Sequence, residues 1–200
     1  MNVRLQYDLD FVAGIWYEGE LQLNTYSISM SLLTINKDAA ITNVAMERIK
    51  TFLSYELGNV IFINREHGSQ AELFQALGCN VCTLPEEPVD QIIGMMLYCK
   101  LNAITEGQLL VTGLDISSEL GGGVWYQHDE EDILGPFAKE GWWHQASTQK
   151  DTLDPEETPA NVVKVQTTGW HELGLEWPDL KLDAKSGNIV FPDFKKNENK

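Results

Sequence analysis

The chain has 200 residues, with 30 aspartates and glutamates against 14 lysines and arginines, for a formal net charge of -16. Hydrophobic residues make up 43% and charged residues 22%, which excludes wholesale disorder. A chain of this size supports a core that buries roughly 70% of its unfolded surface. So acidic a protein is repelled by phosphate backbones at long range, so direct nucleic-acid binding is not expected.

Residues Met1 to Asp10 alternate and carry two acids, unlike the continuous apolar stretch of a signal peptide. The most apolar helical stretch, Ile92 to Leu101, is about half the roughly 20 residues that span a bilayer. Three cysteines, Cys79, Cys82 and Cys99, cannot complete a disulfide framework and suit a reducing compartment. The expectation is a soluble, cytoplasmic protein without a membrane partner.

In chain order, Val3, Leu5, Tyr7, Leu9 and Phe11 alternate with polar residues, the pattern of a strand with one buried and one wet face. Ile15 to Leu23 and Tyr26 to Leu32 read as second and third strands. Leu32 to Ile35, apolar on both faces, suggests entry into a more buried part of a sheet. From Asp38 the period changes to that of a helix, with Ile41, Val44, Ala45, Ile49, Phe52, Leu53 and Leu57 on one stripe. Asp38 is its expected N-cap and Gly58 its stop.

Val60 to Ile63 is a short, continuously apolar strand. Ser69 to Glu72 has the capping-box pattern and opens a short helix, with Leu73, Phe74 and Leu77 expected inward and Gly78 closing it. Cys79 to Leu84 is a further strand. Val89 to Ile104 is the clearest helix, with Pro88 in its first turn and Gly107 just past its end. Gln108 to Thr112, Val124 to Tyr126, Val162 to Thr167 and Asn188 to Phe191 complete the expected strands.

This order predicts an α/β or α+β fold: one compact domain with a mixed, partly antiparallel sheet covered by two main helices, plus an acidic, loop-rich insertion. Residues 1–112 form its main part. Residues 113–160 form the insertion, 161–194 return to the domain as strands and loops, and 195–200 are a flexible tail. The insertion holds 11 of the acids and 2 of the bases. It also holds Gly121-Gly122-Gly123.

Four constellations offer chemistry. Trp125, Trp142 and Trp143 with the run Asp129, Glu130, Glu131 and Asp132 combine rigid aromatic anchors with charge, as in partner-binding hot spots. The favoured reading of the six tryptophans is that they pin long loops to the domain, and the alternative is a partly exposed recognition surface. Trp142 and Trp143, as sequence neighbours, do not easily both enter one core, so at least one could be exposed or clamp a second element. His128, Asp129, Glu131 and His144 offer imidazole and carboxylate ligands to zinc or manganese, with His128 and His144 catalytic in that case. Arg65, His67 and Ser69 follow an apolar strand and precede a helix, a frequent ligand position in α/β proteins. Cys79 and Cys82 have CxxC spacing, but a strand points them to opposite faces, which favours buried structural cysteines over redox or zinc chemistry.

No specific catalytic motif is present, and no cofactor is predicted. The leading expectation is an acidic interaction or regulatory module that binds a protein partner with a basic surface, rather than an enzyme. The alternatives are a small metal-dependent hydrolase and a homo-oligomeric assembly protein.

Overall fold

A long hairpin organises the molecule. In the computed structural model, which describes residues 3–129, 135–148, 150 and 169–178, β1 (Arg4–Tyr17) and β2 (Glu20–Thr34) pair antiparallel along their whole length. They meet at Glu18 and Gly19, whose φ values of 51° and 83° fit a two-residue hairpin turn matched to strand twist. The expected second strand, Ile15 to Leu23, is therefore divided by the turn. Three short strands become two long ones, because alternation continues through Ala13 and Gly14 on one side and Asn24 on the other. Gly14 suits that passage, since a Cβ there would press on Leu21 and Ile61 at 3.2 and 3.3 Å.

The sheet order is β4-β3-β1-β2-β5-β6, with β3 (Val60–Asn64), β4 (Asn80–Leu84), β5 (Leu109–Ser118) and β6 (Tyr126–Asp129). β1, β3 and β4 are mutually parallel, and the other pairings are antiparallel. This is a single mixed six-stranded sheet of the α+β class. Helices α1 (Ala39–Thr51), α2 (Gly68–Ala76) and α3 (Asp90–Thr105) complete it. Asp38 caps α1 as expected, its side chain accepting from the Ala40 amide at 2.8 Å. The helix then loosens into π-helical turns over Phe52–Glu56.

The two faces of the sheet differ. On the inner face Phe11, Tyr26, Ile28, Met30, Phe62, Cys82, Leu114 and Ile116 pack with Ala45, Ile49, Phe52, Ile93, Met96 and Leu97 of α1 and α3 into the main core. On the outer face α2 covers only β3, β4 and the end of β1, where Ile63, Ala71 and Val81 pack with Trp16 and Phe74. Among the described residues, the rest of the outer face, over β1, β2, β5 and β6, carries no helix.

That difference corrects two expectations. Leu33 is half-buried and Ile35 exposed, because no described residue covers the sheet's outer face at the end of β2. Leu73 and Leu77 are exposed, not inward: four residues apart, they share the face of α2 opposite Ala71 and Phe74. Ser69 makes no capping box, its hydroxyl donating to the Gln70 side chain at 2.8 Å. β5 extends six residues beyond its expected end at Thr112, while β6 starts at Tyr126 and leaves Trp125 outside it. The expected strands Val162 to Thr167 and Asn188 to Phe191, and the tail, lie outside the described residues.

Candidate functional site

Trp142 and Trp143 sit in one 3-10 turn, Trp142–His144, and both are buried, at 1% and 2% exposure. Both therefore enter the core, although neighbours in sequence do not easily do so. The tight turn brings the two indoles to 5.9 Å and 70°, so they enter the core side by side. Trp142 Nε1 donates to Thr83 O at 3.1 Å, and Trp143 Nε1 to Phe137 O and Lys139 O at 3.2 and 3.1 Å. Gly141 is required beside them, because a Cβ there would overlap the Trp143 ring. Neither indole is available to a partner here. Trp125 is the exposed member of the set, as are Asp129 and the backbone at Gly122 and Gly123. Glu130, Glu131 and Asp132 lie outside the described residues.

The anchor of this strap is Lys100, which is fully buried on α3. Its Nζ donates to Trp142 O at 3.0 Å and Gln145 O at 2.9 Å, between the rings of Phe52 and Trp142. Burial lowers its pKa to about 7, against the opposing pull of Cys82 and Glu56. Further along, Lys150 bonds Glu56 and the Asn80 side chain. Arg48, also buried, plays the same part for residues 169–178. It donates to Leu175 O at 2.8 Å and Ile104 O at 3.2 Å, pairs with Glu106 at 2.6 Å, and lies 5.0 and 3.9 Å from the Trp170 and Trp177 ring centres. Sequence reasoning missed both cations. Their signal was phase: Arg48 falls on the Ile41, Ala45 and Phe52 stripe, and Lys100 on that of Ile93, Met96 and Ile104.

The remaining candidates do not converge. His128 points to the inner face, so close to α3 that a Cβ on Gly94 would lie 2.6 Å from its Nε2. Asp129, next along β6, points the other way. His144 is exposed beside Trp143, where partial burial holds its pKa below the ordinary histidine value and Glu140 opposes. Among the described residues no group of three or more His, Cys, Asp or Glu is placed to hold a metal ion. Arg65 and Ser69 are exposed, while His67 Nε2 is 3.5 Å from Glu87 Oε1, which also accepts from Asn64 Nδ2 at 3.0 Å. That loop holds itself together through Glu87. Cys79 lies at the surface and Cys82 in the core, on opposite faces.

A buried polar cluster closes the inner face near the start of α3. Ser118 Oγ lies 2.8 Å from both Asp90 carboxylate oxygens and accepts from the Gly121 amide at 3.0 Å. Asn24 Oδ1 accepts from the Leu120 amide at 3.1 Å. These bonds tie the glycine turn down, and a Cβ on Gly121 would collide with Asp90.

The outer face offers what the inner face lacks, an open surface. A groove of about 410 Å³ runs between the hairpin and the β3 and β4 loops, lined chiefly by Val12, Leu21, Leu23, Ile61 and Cys79. Leu21 is 47% and Leu23 77% exposed. Beside this apolar end lie carboxylates. Register puts Asp8 opposite Ser29, Ser29 opposite Asp115, and Asp10 opposite Ser27, all on the outer face. Asp8 accepts from Ser29 Oγ at 2.6 Å, but none of Asp8, Asp10 and Asp115 is in a salt bridge among the described residues.

No protein-family model matches this chain, and no curated protein matches it. Among solved structures it is similar to an uncharacterized protein from Wolinella succinogenes, at 12% identity and a TM-score of 0.46, over 66% of this chain and 99% of that one. It is also similar to a 6-pyruvoyltetrahydropterin synthase of Plasmodium vivax, in two catalytic-residue mutants. That likeness is 9% identical with a TM-score of 0.41, over 64% of this chain and 97% of the other. Neither likeness is strong enough to carry an argument about function. Among the described residues no helix is long and apolar enough to cross a membrane.

Proposed function

We propose that this protein is an acidic interaction module whose contact surface is the outer face of its sheet. The partner is a protein with a basic surface that also carries apolar side chains. The carrying observation is one juxtaposition: Val12, Leu21 and Leu23, all exposed on one groove, beside Asp8 and Asp10, which have no cationic partner among the described residues. Exposed apolar side chains next to charge supply the buried centre and polar rim of an interface. Unpaired carboxylates steer a basic partner and disfavour an acidic one. Trp142, Trp143, Trp170 and Trp177, by contrast, serve to hold residues 135–148 and 169–178 to the core.

The test compares affinity capture by the wild-type chain with capture by the double variant Leu21→Ser, Leu23→Ser. Loss of a basic protein by the variant, at an unchanged melting temperature, supports the reading. Retention of the same proteins by both chains overturns it.

A further inference from the structure

We propose that β2 accepts, along its edge at Leu21 and Leu23, an extended lysine- or arginine-bearing segment of a partner protein as an added strand. The proposal rests on the reading of the outer face as an interaction surface, and it specifies how contact is made.

The argument starts from register. The two-residue turn makes Tyr17 and Glu20 the first hydrogen-bonded pair of the hairpin. Alternation then turns the backbone groups of Glu20, Gln22 and Asn24 toward β1 and those of Leu21, Leu23 and Thr25 away from it. Thr25 O confirms the phase, since it accepts from the Glu119 amide at 3.0 Å on the side away from β1. β5 pairs with β2 only from Tyr26 onward. Beyond that point no described residue pairs with the amides and carbonyls of Leu21 and Leu23.

The same two residues point their side chains into the outer groove. One short stretch therefore offers backbone groups for ladder bonds and apolar surface for alternate side chains, the two requirements of strand addition. Along Glu20 to Thr25 the edge carries one charge, Glu20 at the turn, which disfavours an acidic strand and not a basic one. There is no proline, no lysine and no bulge, the one register irregularity on this side lying at Ser31 and Leu32.

Charge selects the occupant. Exposed Glu18 and Glu20 stand at the turn, Glu119 stands where β5 ends, and none of the three is in a salt bridge among the described residues. A basic segment neutralises them. A second copy would bring the same carboxylates together between two chains of net charge -16, so a partner protein is the better occupant.

The probe is the capped hexapeptide Lys-Val-Lys-Val-Lys-Val, with Lys-Lys-Lys-Val-Val-Val as a control of equal charge and composition. Both are titrated into the full chain, with amide exchange followed by nuclear magnetic resonance. The alternating peptide is expected to bind about tenfold more tightly than the control and to slow exchange at the Leu21 and Leu23 amides. Leu23→Pro removes an edge donor that the hairpin does not use, and is expected to weaken binding about tenfold.

Absence of binding by the alternating peptide overturns the proposal. So does unchanged exchange at Leu21 and Leu23 in its presence, a readout that needs no variant to fold. If Leu21→Ser, Leu23→Ser loses the peptide while Leu23→Pro keeps it, the outer face stands as an interaction surface and strand addition falls. If neither variant changes binding, both readings fall. Protection of the two amides without peptide overturns it as well. Sedimentation as a dimer then assigns the edge to a second copy, and as a monomer to a segment of the same chain.

Discussion

The inner and outer faces of this sheet are built from the same strands, one residue out of step, and they have opposite fates. On β1, Phe11 and Ala13 lie under α1 and α3, while Asp10 and Val12 between them face outward and are exposed. The inner face is closed further by Lys100 and Arg48, each of which gathers a stretch of chain from the carboxyl-terminal half onto the helices. Among the described residues the outer face has one short helix. The comparison teaches that the buried and the exposed face are separated by the pleat, so each can be altered independently.

The largest contrast is between Phe62 and Val12. Phe62 is fully buried with its ring 6.2 Å from Tyr26, so Phe62→Ala is expected to cost about 3–5 kcal/mol in a urea melt. Val12→Ala, on the half-open outer face, is expected to change stability by less than about 0.5 kcal/mol. Similar losses from both would erase the distinction between the faces.

Next in size is Arg48→Ala. It leaves Ile104 O and Leu175 O without their donor and removes a cation stacked on two indoles. A cost of about 2–3 kcal/mol is expected. Red-shifted fluorescence from Trp170 and Trp177, with the rest of the fold retained, would show that residues 169–178 have been released.

Lys100 sharpens the comparison through pH. Its folded pKa of about 7 lies below its ordinary value of 10.5, chiefly because of burial. Between these values the unfolded chain binds more protons than the folded one, so stability rises with pH; below about 7 the full penalty for the buried charge is present. Burial pushes the Cys99 thiol up to about 12 and raises Tyr26, and these groups act in the opposite sense once their unfolded forms ionise, from near the ordinary cysteine value of 9.0. The clean window is therefore from pH 7 to 9. Urea melts across it should give a slope of at most about 1.4 kcal/mol per pH unit, which Lys100→Met flattens. An equal slope in the variant would assign the effect elsewhere.

The smallest effect belongs to the turn that sets the phase of both faces. Glu18 holds φ of 51°, which asparagine adopts more readily. Glu18→Asn should stabilise the hairpin by about 0.5 kcal/mol, read as a higher melting temperature. Unchanged stability would show that the strands alone fix the turn.

Local pattern determined a good deal. The alternation from Val3 to Phe11, the cap at Asp38 and the stripe of α3 each dictate an element directly, because one periodicity satisfies backbone and burial together. The mixed sheet follows from their order. Period alone did not reveal where two strands are in fact one: Ala13 and Gly14 resemble an interruption until β2 is laid beside them. Nor did it show which half of α2 faces the sheet, since Leu73 and Leu77 are as apolar as Phe74.

The candidate site divides in the same way. The acidity could be read from composition. The uncovered apolar surface could not, because side-chain type does not tell whether a tryptophan or a leucine is covered. Trp142 and Trp143 look like surface anchors in sequence and become core only when Lys100 draws their turn inward. Leu21 and Leu23 are as apolar as core residues and stay exposed because no described element packs above them on the outer face. The sequence by itself determined most of the elements, the phase of β1 and α3, and the acidity of the chain. Only the tertiary structure decided which apolar residues remain uncovered, because burial depends on what packs above a residue, and that neighbour comes from a distant part of the chain.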